Sequence, residues 1–235
     1  MLNIIGLGLN ENSLTLEAVE AIGKSDEVYL ETYTVDFPYK IEQLKKTIRR
    51  KIKLLKREDV EDESLVQKSK SKKISLLVYG DALSATTHIQ LIQACKKNKT
   101  KYQIFHNSSI LTAIGETGLS LYKFGKTTSM PRWTETWQPD SFADYIYQNL
   151  TIDAHTLLLV DIGLELKKAK QQLEKALTKH KIKTSKILLC SGIGTSEQKI
   201  ICKGLEKLPN KIEKPYCFVL PASLSDFEKN VLKEI

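Results

Sequence analysis

Apolar residues in the first half of the chain fall by turns into short unbroken runs and runs spaced three or four apart, a texture that predicts strands and helices in succession. Asn3 to Leu9 reads as a strand, Leu14 to Ser25 as an amphipathic helix opened by Ser13 or Thr15, and Glu27 to Glu31 as a second strand. Helical spacing resumes from Ile41 to Lys51, and a short strand follows near Leu54 and Leu55. Arg57-Glu58-Asp59-Val60 then leads into another helix that ends in lysines. Ile74 to Tyr79 forms a strand with an apolar centre, Thr86 to Lys97 a helix, and Tyr102 to Phe105 an extended segment. Strands alternating with helices in this way imply a mostly parallel, helix-covered sheet.

The texture changes beyond His106. Asn107-Ser108-Ser109 is suited to cap the segment Ile110 to Leu119, whose two glycines fit a helix or a tight bend near a ligand. A boundary falls near residues 107 to 115, giving domains at 1–110 and 111–235. Tyr122 to Met130 reads as extended and half-buried, and Pro131 to Pro139, with Trp133 and Trp137, as a loop whose tryptophans are either docking anchors or packing residues. A helix at Asp140 to Asn149, a strand at Thr156 to Asp161, a long helix at Glu165 to His180 and a strand at Lys186 to Cys190 follow. Tyr216 to Leu220 is the last strand, and Ser223 to Glu234 closes the chain as a helix.

The strand from Ile74 ends in Gly80-Asp81-Ala82-Leu83-Ser84-Ala85-Thr86-Thr87-His88. Gly80 tolerates turn angles that a Cβ resists, and a carboxylate beyond a strand's carboxyl end sits where open α/β sheets bind ligands. A plain turn and cap is the competing reading. The first turn, Gly6-Leu7-Gly8-Leu9-Asn10, resembles the start of a dinucleotide fingerprint, with glycines that let backbone approach a ligand. Glu11 stands where the third glycine belongs, so a pyrophosphate cradle is not supported. Glu31 reads as a surface carboxylate, with a ribose contact as the alternative. No Walker loop, His-Glu-x-x-His helix or Gly-x-Ser-x-Gly elbow is present. His88, His106, His155 and His180 each lie at an element end and read as structural; His106 would come near Asp81 across the sheet's carboxyl edge.

Composition narrows the class. The 235 residues carry a formal charge of +8, much of it in lysine runs at 45–53, 68–73 and 96–101 that read as solvated helix ends, with an anionic partner as the alternative. No aromatic motif interleaves with the lysines, so no specific nucleic acid is expected. Cys95, Cys190, Cys202 and Cys217 have no metal-ligand spacing and suit a reducing, cytoplasmic compartment; no metal and no membrane span are expected.

Three stretches in the same order carry a resemblance: Ile4-Ile5-Gly6-Leu7-Gly8-Leu9, Gly80 through His88, and His106-Asn107-Ser108-Ser109-Ile110 through Gly118 to Lys126. Thr32-Tyr33-Thr34, Arg57-Glu58-Asp59-Val60, His155-Thr156-Leu157-Leu158 and Asp161-Ile162 add to it. Together they resemble the diphthine synthase family of tetrapyrrole-methylase-like methyltransferases. The resemblance implies two α/β domains, a mostly parallel N-terminal sheet and a mixed C-terminal sheet, with S-adenosyl-L-methionine in the interdomain cleft. It implies a homodimer whose protein substrate is translation elongation factor 2, methylated on the amino group of an aminocarboxypropyl-histidine during diphthamide biosynthesis. The positions matching the family's cofactor contacts are Leu9, Asp81, Ser84, Ser109, Ile110, Val160, Ile193 and Tyr216. Asp81, the charged member, would pair with the cofactor's amino group or accept from a ribose hydroxyl, and no residue stands out as a general base. Ala82 replaces the family's usual proline, Tyr216 stands where relatives often have histidine, and the second domain reads as trimmed near Ile235. A same-fold methyltransferase acting on ribosomal RNA or a tetrapyrrole, and a non-catalytic basic module, remain as alternatives.

Overall fold

The structure is a computed structural model that describes residues 1–234. The chain divides into two compact units, Met1–Leu111 and Thr112–Ile235. In the first, strands β1 (Leu2–Gly6), β2 (Glu27–Glu31), β3 (Ile52–Leu55), β4 (Ile74–Val78) and β5 (Tyr102–Phe105) form one five-stranded sheet ordered β3-β2-β4-β1-β5. Every pairing is parallel. Helices α1 (Leu16–Gly23), α2 (Ile41–Ile48), α3 (Arg57–Glu61), α4 (Ser64–Lys68) and α5 (Ile89–Lys97) supply the crossovers. Successive residues of β1 enter opposite cores: Ile4 joins Tyr29, Leu76 and Leu91, whereas Ile5 joins Leu30, Leu44 and Leu77. Burial on both faces is why these strands read as apolar runs and not as alternating ones. Truncating a fully buried leucine such as Leu76 to alanine would remove about 2–5 kcal/mol.

The one-turn helix α6 (Ile110–Ala113) contains the division between the units. The second unit continues through 3₁₀ turns at Ile114–Thr117 and Leu121–Lys123 to β6 (Thr128–Met130), α7 (Ser141–Thr151), β7 (Thr156–Val160) and α8 (Leu166–Lys179). The strands β8 (Ile187–Ser191), β9 (Lys199–Lys203) and β10 (Tyr216–Leu220) and the helix α9 (Asp226–Val231) complete it. Its five-stranded sheet runs β6-β7-β10-β8-β9. The first pair is parallel and the others antiparallel, so this sheet is mixed. Phe142, Leu158, Leu173 and Phe218 fill its core.

Three local expectations are corrected, and one strand was not foreseen. Tyr122 to Met130 is not one strand: Tyr122 is fully exposed, Phe124 makes an isolated parallel bridge to His155, and the strand proper is Thr128–Met130. Asn149 is the reason, because its side chain accepts from the Lys126 amide at 2.9 Å and donates to the Lys126 carbonyl at 2.9 Å, replacing strand partners. The helix expected after Arg57 is two short helices, broken where Glu63 adopts φ +57°. The helix expected from Thr86 begins at Ile89, after Ala85 at φ +55°. The strand β9 lacks a sequence signal because it is an edge strand, with lysines at both ends facing solvent.

Candidate functional site

Three strand ends meet at the carboxyl edge of the first sheet. β1 runs into Gly8, β4 into Gly80-Asp81, and β5 into His106-Asn107. Gly8 and Gly80 face each other as an antiparallel bridge, each amide donating to the other's carbonyl at 3.0 Å. Both have positive φ, +73° and +74°. A Cβ on Gly6 would lie 2.7 Å from the Gly80 carbonyl oxygen, and one on Gly8 would lie 2.4 Å from the Ser13 Cβ. The glycines of the first turn therefore let chain approach chain. Asn107 locks the junction, its Nδ2 donating to the carbonyls of Gly6 at 3.1 Å and Ser13 at 2.9 Å.

Asp81 is the hub of this edge. Its residue is 7% exposed, and each carboxylate oxygen accepts twice. Oδ1 accepts from the Leu83 amide at 3.0 Å and the Ser84 hydroxyl at 3.3 Å. Oδ2 accepts from the Asn107 amide at 3.0 Å and lies 2.8 Å from His106 Nδ1. Burial raises the carboxyl's pKa, but the Leu83 and Asn107 amides and the His106 ring outweigh it and hold the group below its ordinary value. Asp81 and His106 thus come together as the topology of the sheet requires.

The other first-unit positions surround this hub in sequence and fold. Leu9 is buried, with its carbonyl accepting from the Tyr79 hydroxyl at 3.1 Å. Ser109 is buried and its hydroxyl accepts from the Leu111 amide at 3.3 Å, while Ile110 opens α6 half-buried. In the second unit, Val160 ends β7, Tyr216 begins β10 and Ile193 follows β8, so the antiparallel register gathers all three at one edge of that sheet. Ile193 lies between Gly192 at φ +57° and Gly194 at φ +82°. The Tyr216 side chain turns into its own core, donating its hydroxyl to the Leu164 carbonyl at 2.9 Å. Any ligand contact there falls to its backbone.

Glu31 is not on the surface. It is fully buried, its carboxylate accepts from the Tyr33 and Thr34 amides at 3.2 Å and from the Thr34 hydroxyl, and burial raises its pKa. Its hydrogen bonds to the turn after β2 explain the placement; no alternation marked it in the sequence. Three histidines have fixed structural partners. His88 is buried between the Tyr33 hydroxyl at 3.3 Å and the Thr86 hydroxyl at 2.8 Å, and burial lowers its pKa to about 4. His155 accepts from the Ala222 amide and bonds Glu228 at 3.1 Å, and His180 spans Asp140 and Asp144. A cavity of about 400 Å³ in the first unit is lined by Tyr33, Glu61, Glu63, His88 and Lys97, and no predicted position lines it. Among the described residues, no helix is long and apolar enough to cross a membrane.

In the first unit, Leu9 and Ile110 give apolar surface, Ser84 and Ser109 give hydroxyls and Asp81 gives a carboxylate on the turns that follow three parallel strands, a mixture that suits a nucleoside ligand.

Comparison with known proteins places this geometry. The family model for Tetrapyrrole (Corrin/Porphyrin) Methylases matches residues 1–209. The diphthine methyl ester synthase of Bos taurus is 40% identical over 185 residues, 77% of this chain and 64% of that protein. The chain therefore matches less than two thirds of that relative's length. A crystal structure of a diphthine synthase superposes with a TM-score of 0.90 at 30% identity, over 99% of this chain and 94% of the other. A crystal structure from Entamoeba histolytica gives a TM-score of 0.89 at 30% identity, over 100% of this chain and 97% of that one. A parallel sheet whose strand-end turns carry the quoted motifs, a mixed second sheet and these matches make the chain a member of the tetrapyrrole methylase family, in its diphthine synthase branch.

Proposed function

We propose that the chain is an S-adenosyl-L-methionine-dependent methyltransferase of diphthamide biosynthesis, acting on an aminocarboxypropyl-histidine of translation elongation factor 2. The observation that carries this reading is the likeness to diphthine synthase along nearly the whole chain. The name of the Bos taurus relative adds a detail, because a methyl ester is a methylated carboxyl group. The acceptor carries both an amine and a carboxylate, so we include ester formation beside N-methylation.

When bound, the cofactor supplies a methyl group on a sulfonium. The chain's residues bind and orient. Leu9 and Ile110 would give apolar contact and Ser109 a hydroxyl in the first unit, while Val160, Ile193 and the Tyr216 backbone would contribute from the second. Asp81, with both oxygens engaged, acts by holding the turn that presents Ser84 and the ring of His106. This makes it a positioning residue and not the direct partner of a cofactor ammonium. Proximity and orientation supply most of the rate in such a transfer. A cytoplasmic location and a homodimer accompany the reading, in keeping with the four free cysteines and with the family.

Labelled cofactor offered to elongation factor 2 bearing the aminocarboxypropyl-histidine, beside the unmodified factor and ribosomal RNA, tests the assignment. Label confined to the modified factor is expected, with an alkali-labile part marking the ester. Label on RNA, or on no substrate, would overturn it.

A further inference from the structure

Among the four histidines, His106 alone combines a carboxylate behind one ring nitrogen with no hydrogen bond to the other among the described residues. His88 and His155 are buried with both nitrogens engaged, and both nitrogens of His180 face aspartates. The His106 side chain is 68% exposed, against 10% for that of Asp81. Asp81 is held ionised and can only accept, so the ring's Nδ1 carries the proton. Nε2 then presents its lone pair outward. The ring follows β5 directly and precedes Ser109 and Ile110 by three and four residues, so it sits among the first-unit cofactor positions. Asn107 donates its amide to the same Asp81 oxygen, fixing the backbone that carries the ring.

We propose that His106 is the general base of N-methylation, its tautomer and orientation set by Asp81. This inference rests on the amine-methylation reading above. A substrate ammonium gives a proton to Nε2, and the freed lone pair forms the new N–C bond. The methyl's bond to sulfur breaks with its electron pair staying on sulfur, and the imidazolium then returns its proton to water. The same residue serves each further N-methylation that starts from a protonated amine. A carboxylate needs no such proton removed, so ester formation does not call on His106. The arrangement follows the general logic of a base oriented by a buried carboxylate.

The test uses His106→Asn, whose side-chain amide can stand in for Nδ1–H toward Asp81 while removing the base. An α-amino group with a pKa of about 8 is neutral in about one molecule in ten at pH 7, so the expected loss of N-methylation there is about tenfold. The loss should close to within about twofold by pH 9, and the ratio of ester to N-methyl product should rise at pH 7. Among the described residues, Asp81 is the charged group that faces the ring. Calorimetry should find cofactor affinity within about twofold of wild type. Nitrogen NMR of the free wild-type protein, which needs no cofactor, should show Nδ1 protonated and Nε2 unprotonated. An Nε2–H tautomer, a deficit equal at every pH, a parallel fall in ester and N-methyl products, or no deficit would each overturn the assignment. A wild-type protein that methylates no amine would instead sink the underlying reading, and the role of His106 with it.

Discussion

Removing the Asp81 carboxylate should loosen the whole carboxyl edge of the first sheet. In Asp81→Ala the amides of Leu83 and Asn107, the Ser84 hydroxyl and the His106 ring all lose their acceptor. The ring and the hydroxyl can turn to water, but the two amides sit in a junction where Asp81 itself is 7% exposed. A buried donor left unpaired costs about 1–3 kcal/mol, so two partly shielded amides give a loss of about 3 kcal/mol. For a chain of this size that lowers the melting temperature by about 6–12 °C. Lys72→Ala is the control. Lys72 bonds Glu27 at 2.5 Å from an exposed position, where solvent screens the pair, so its removal should leave stability nearly unchanged. Trp133 and Trp137 both lie in the second unit, so far-UV circular dichroism and amide exchange of residues 6–8 and 80–84 are the suitable probes. Cofactor affinity should fall in Asp81→Ala and hold in Lys72→Ala. Equal, small effects in both variants would refute the hub and reduce Asp81 to an ordinary turn residue.

Other expectations follow from the same contacts. Burial lowers the pKa of His88 to about 4 from 6.5, so the unfolded chain takes up this proton first as pH falls. The stability it contributes is full above about pH 6.5 and is lost toward pH 4, by about 3 kcal/mol in all; urea titrations should show that slope flattened in His88→Gln. Gly8→Ala combines a positive φ with a Cβ 2.4 Å from the Ser13 Cβ and should cost about 2–4 kcal/mol, whereas Gly23→Ala, with nothing within 4 Å, should be neutral or gain up to about 1 kcal/mol; chemical denaturation separates them. Glu228→Ala strips the Ser120 and Ser225 amides and His155 of their shared acceptor and should cost about 2–4 kcal/mol, read by tryptophan fluorescence of the second unit. The Glu228 pKa is lowered to about 2, since its hydrogen bonds outweigh burial, so its contribution is full above about pH 4.5 and lost as pH falls toward 2.

The sequence by itself determined the parallel sheet, because strands buried on both faces must be apolar at every position, as Ile4-Ile5 and Leu76-Leu77 are. It also placed Asp81 and His106 at one edge, since parallel strands end together and the residues after them become neighbours. The motif at Gly6 to Leu9 was legible as a turn, but its purpose was not. Only the fold showed that the space a Cβ would need is taken by Gly80 and Ser13. Glu31 was misplaced on the surface because its acceptors' partners come from a turn, whose amides carry no sequence signature. The Asn149 side chain that replaces strand pairing at Lys126 reaches it across 23 residues, beyond any local pattern. Periodicity reports which face of an element is buried. Which donor meets which acceptor is settled by chain segments far apart in sequence, as where the Asp81 carboxylate meets the His106 ring and the Asn107 amide.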